Sequence, residues 1–106
     1  MPTMLALSDR AKYLINSVFP DEATRITVME KLARECGNGV PFCEKSTPEE
    51  MDRIRFSVVK LSEGDIRKLE NAIELANVDW RDLFMAAGFG YDVEAHNKWY
   101  EETVES

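Results

Sequence analysis

"TPEEMDRIRFSVVKLSEG", residues 47–64, is the stretch whose reading decides the fold. Inside it, Ile54, Phe56 and Val58 alternate with Arg55 and Ser57, as in a half-buried β-strand. The same segment also carries a helical stripe, Met51, Ile54, Val58 and Leu61. The residues just upstream separate the two readings. Thr47 stands where a helix cap should be, and Pro48 takes the first helical position, where its missing N–H is not needed. Glu50, three residues past the cap, is placed to accept from the cap amide in a capping box. The segment is therefore read as a helix, closed by Gly64.

Working outward, each flanking segment has the same punctuation. Ser8 caps a helix with Ala11, Leu14, Ile15, Val18 and Phe19 on its apolar face, and Pro20 ends it. Asp21 caps a second helix with Ile26, Met29, Leu32, Ala33 and Cys36 on one side, and Gly37 closes it. "GNGVPFCEKS", residues 37–46, is the one clear loop. Beyond Gly64, Asp65 opens a helix carrying Ile66, Leu69, Ala72, Ile73 and Ala76. Asp79 caps a short one, assisted by Asp82, with Trp80, Leu83, Phe84 and Ala87 inward and Gly88 as the stop. A last helix is expected from about Val93 to Glu102, with Val93, His96, Trp99 and Tyr100 near one face. The expectation is an all-α fold, a compact bundle of about five to six short helices, forming a single helical domain over residues 1–106.

Composition supports a globular chain, since 44% of the residues are hydrophobic and 31% charged. Net charge is −7, and it is unevenly distributed. Residues 1–47 carry six basic and six acidic side chains, residues 48–88 six and nine, and residues 89–106 one and five. Such a balance lacks the cation excess through which proteins displace phosphate counterions, so neither nucleic acid nor an anionic membrane is the expected partner. No apolar run approaches the roughly 20 residues of a membrane span, and the N-terminus lacks a signal-peptide pattern. Cys36 and Cys43 are too few for a disulfide framework, so a reducing, cytoplasmic setting is expected.

No catalytic constellation is visible. Cys36 and Cys43 lack the compact pairing that nucleates a zinc site, and His96 is the sole histidine. The sequence therefore assigns no catalytic residue, metal or cofactor. "GFG" at 88–90 lacks the spacing and lysine of a phosphate loop, and Asp92 and Glu94 follow it. The Gly64 turn between two helices resembles a helix-turn-helix connection. On its second helix, however, Glu70 and Glu74 offset Arg67 and Lys68, leaving Asn71 beside them.

The remaining expectation is a protein–protein interaction module, self-associating or bound to another protein. Trp80, Phe84, Phe89, Tyr91 and Trp99 mark the region where core meets interface, because aromatic residues are enriched at interface anchors. The structural alternative for the same rings is simple closure of the core. A sharper form adds an acidic face, Asp92, Glu94, Glu101, Glu102 and Glu105, offered to a basic partner. Two other classes stay open: a redox- or metal-responsive protein using Cys36 and Cys43 with His96, and a helix-turn-helix-like regulator.

Overall fold

A computed structural model describes residues 7–34, 51–90 and 92–105. Among the described residues six helices follow in order: α1 (Asp9–Val18), α2 (Glu22–Arg34), α3 (Asp52–Ser62), α4 (Ile66–Val78), α5 (Trp80–Ala86) and α6 (Ala95–Glu105). No strand occurs among the described residues. The radius of gyration, 12.4 Å, is close to the ~13 Å of a folded chain of about 100 residues. Among the described residues no helix is long and apolar enough to cross a membrane.

Local chemistry sets the helix ends. Ser8 Oγ accepts from the Ala11 amide at 3.0 Å. Asp21 accepts from both the amide and the hydroxyl of Thr24, each at 2.9 Å, and these bonds hold its carboxyl below the usual range. Asp65 accepts from the Arg67 amide, and Asp79 from those of Arg81 and Asp82. α1 stops at Val18, with Phe19 extended ahead of Pro20. Two of its terminal carbonyls, those of Phe19 and Asn16, accept from the Arg25 guanidinium, a favourable place for a cation. Glu63 and Gly64 both take positive φ where α3 turns into α4. A Cβ on Gly64 would lie 3.4 Å from the Val18 carbonyl oxygen, so this turn also sits against α1. The capping box Thr47–Pro48–Glu50, the 37–46 loop, Cys36 and Cys43 lie outside the described residues, as does Tyr91.

The helix at 52–62 is the centre of the molecule. α3 packs against α1, α4, α5 and α6, most extensively against α4, while α2 covers α1 and α4. Met51, Ile54, Phe56, Val58 and Val59 are buried, and so are Arg55, Ser57 and Ser62. Enclosure on nearly all sides explains the strand-like alternation: both the apolar and the polar members of IRFSVV are inside. The buried hydroxyls find partners within the helix. Ser57 donates to the Arg53 carbonyl at 2.7 Å and Ser62 to that of Val59 at 2.5 Å. Asp52, fully buried at the first turn, accepts from Ser8 Oγ at 2.6 Å and so ties the α1 cap to α3.

Two expectations shift. In α2 the buried side is Val28, Leu32 and Ala33 with Met29 half-buried, and Ile26 is exposed. Among the described elements α2 packs mainly against α1 and α4, so its orientation follows where those helices lie. α6 begins at Ala95 and runs to Glu105, leaving Val93 exposed in the preceding turn. There Asp92 Oδ1 accepts from the Glu94 amide at 2.9 Å.

Candidate functional site

Two aromatic groups stand beside α3 among the described residues. One group surrounds Phe56, which is fully buried. Tyr100 stacks on it at 5.2 Å and 14°, while His96 and Trp99 tilt against it at 5.7 and 6.4 Å. Phe89 meets His96 and Trp99 from the other side, at 6.4 and 6.1 Å. Cations close this cluster. The Arg10 guanidinium lies 4.6 Å from the Tyr100 ring and donates to Asn97 at 2.6 Å, fastening α1 to α6. Lys60 Nζ stands 4.9 Å from the Phe89 ring.

His96 is buried inside this group. Burial is the main cause that pushes its imidazole below the ordinary value of 6.5. The nearby Arg10 and Arg53 charges push the same way, against smaller opposing contributions from Glu94 and the Val93 backbone.

The second group lines a pocket of about 630 Å³ between α3, α5 and the turn after α5. This size is ordinary for a ligand or side-chain pocket. Trp80 and Phe84 meet edge-to-face at 5.7 Å on one wall. Met85, 59% exposed, stands at the same pocket. The Arg53 guanidinium lies 4.1 Å from the Phe84 ring, and its Nη2 donates to the Gly90 carbonyl at 3.0 Å. Among the described residues buried Arg53 Nε has no hydrogen-bond partner, which ordinarily costs about 1–3 kcal/mol. Arg81 also lines the pocket, its guanidinium 5.3 Å from the Trp80 ring. Neither arginine forms a salt bridge with a carboxylate among the described residues. Asp79 and Asp82 complete the lining, and one Asp79 oxygen is engaged with the α5 amides.

The expected core-and-interface residues therefore occupy different places. Phe84 and Phe89 are each 4% exposed and belong to the core, whereas Trp80 and Trp99 are half-buried against it. Trp80 and Phe84 share the pocket, while Trp99 and Phe89 belong to the Phe56 group. Arg53 is the residue that sequence reasoning missed. It is one of several arginines along α3 and α5, and only the folded structure sets it apart. The acidic residues Asp92, Glu94, Glu101, Glu102 and Glu105 are all exposed. On α4, Lys68 lies 3.4 Å from Glu63, and Glu70 lies 3.5 Å from Lys31. Among the described residues no three His, Cys, Asp or Glu side chains gather in a metal-binding arrangement. Comparison of the chain with protein-family models, curated proteins and solved structures finds no match.

Proposed function

We propose that this protein works by contact with another protein, through the face formed by α5 and the turn that follows it. The observation that carries this reading is the pairing of half-buried Trp80 with exposed Met85 at the rim of a pocket walled by Phe84. Tryptophan is enriched among interface anchors, and methionine adapts its shape to what it meets. The exposed carboxylates on and before α6 favour a partner whose surrounding surface is basic.

Native mass spectrometry of the protein gently purified from its own host tests this, beside Met85→Glu and Trp80→Ala variants. The reading predicts a bound protein chain, or a second copy, that both variants lose; exposed Met85→Glu should melt close to the parent, whereas Trp80→Ala, which also loses packing on Phe84, should melt lower yet stay folded. A lone chain, or an assembly indifferent to both substitutions, would count against it.

A further inference from the structure

The pocket's charges indicate what enters it. Resting on the reading of the α5 face as a contact surface, we infer that the pocket receives the C-terminal residue of the partner chain: an apolar side chain with its free carboxylate, preceded by a basic residue. Arg53 and Arg81 line the hollow, and neither forms a salt bridge with a carboxylate among the described residues. Each lies over an aromatic ring, Phe84 and Trp80 respectively, which fixes the position of its cation. A guanidinium offers paired N–H groups that match a carboxylate. Among the described residues Arg53 makes one hydrogen bond, to the Gly90 carbonyl, and so keeps donor capacity. The apolar wall of Trp80, Phe84 and Met85 supplies the seat for a side chain next to that carboxylate.

The rest of the lining selects among anions. Asp79 and Asp82 would repel a phosphate or a run of acidic residues, as would the chain's net charge of −7. A single terminal carboxylate brings one negative charge to the arginines, and a basic residue before it meets the two aspartates. One short segment thus satisfies both signs of charge in the pocket.

Isothermal titration with three acetylated peptides tests this: Lys-Lys-Leu with a free carboxylate, the same peptide as its C-terminal amide, and Glu-Glu-Leu with a free carboxylate. N-acetyl-leucine serves as the small-acid control. The expected result is that the Lys-Lys-Leu acid binds at least tenfold more tightly than any of the other three. Arg53→Met should weaken that binding tenfold or more. Arg81→Met, a change at an exposed residue that leaves the core intact, should weaken it severalfold, and Asp82→Asn should narrow the gap between the lysine and glutamate peptides. Equal binding of acid and amide, or indifference to Arg81→Met in a variant that melts like the parent, overturns the proposal. Equal binding of N-acetyl-leucine overturns the polypeptide source and assigns the pocket to free small acids. If no peptide binds while Met85→Glu still dissolves the native assembly, this inference fails and the interaction reading stands.

Discussion

Replacing Ser57 by leucine separates a helix enclosed on nearly all sides from any arrangement in which residue 57 faces solvent. Ser57 has no exposed surface, and its hydroxyl donates to the carbonyl four residues back at 2.7 Å. Leucine adds bulk at a fully buried position, and overpacking of this kind costs about 1–3 kcal/mol. For a domain near this size each kcal/mol lowers Tm by about 4–8 °C, so a fall of roughly 4–24 °C is expected. Ser17 is a matched control, because it makes the same hydroxyl-to-carbonyl bond to Tyr13, at 3.1 Å, on the exposed side of α1. Ser17→Leu should stay within about 0.5 kcal/mol of the parent, as exposed substitutions usually do. Ser57→Ala should also be mild, since the lost bond is of the type that slightly disfavours helices and alanine is the better helix former. Thermal and urea denaturation followed by far-UV circular dichroism measure all three. Equal melting of Ser57→Leu and Ser17→Leu would refute the enclosed position of α3.

Phe56→Ala should cost about 3–5 kcal/mol, measured by urea denaturation, because it empties the space that Tyr100, Trp99 and His96 pack against. His96 gives stability a pH dependence. Its folded pKa lies below the unfolded value near 6.5, so its contribution is complete above that value. As pH falls below 6.5 the unfolded chain takes up the proton first, and stability is lost towards the lower folded pKa. Denaturation midpoints between pH ~7.5 and ~5 should fall for the parent and fall less for a folded His96→Gln variant. Gly88→Ala should destabilise by about 1–2 kcal/mol in a thermal melt, since φ there is +81° and ends α5 in a conformation that disfavours a Cβ.

The helix ends were legible because their signals are local. Ser8, Asp21, Asp65 and Asp79 each bond amides within the next three residues, and neither packing nor topology alters that requirement. The all-α class follows from such punctuation. Which face of a helix turns inward depends instead on its neighbours. α2 reads with Ile26 inward but buries Val28, because its orientation follows from α1 and α4. α3 reads as amphipathic, since Asp52, Arg55 and Ser57 are polar, yet all three are buried. Phe84 and Trp80 stood out by size, whereas Arg53 did not. Its part in the pocket depends on the Gly90 carbonyl, 37 residues along the chain.

Hydrogen exchange across residues 78–90, compared between the isolated chain and the protein purified natively with whatever it binds, tests the proposed α5 contact face most directly. The account predicts slower exchange in the assembly over α5 and the Gly88–Gly90 turn, with α2 unchanged. Unaltered exchange at 78–90, with protection appearing on α2 instead, would contradict it.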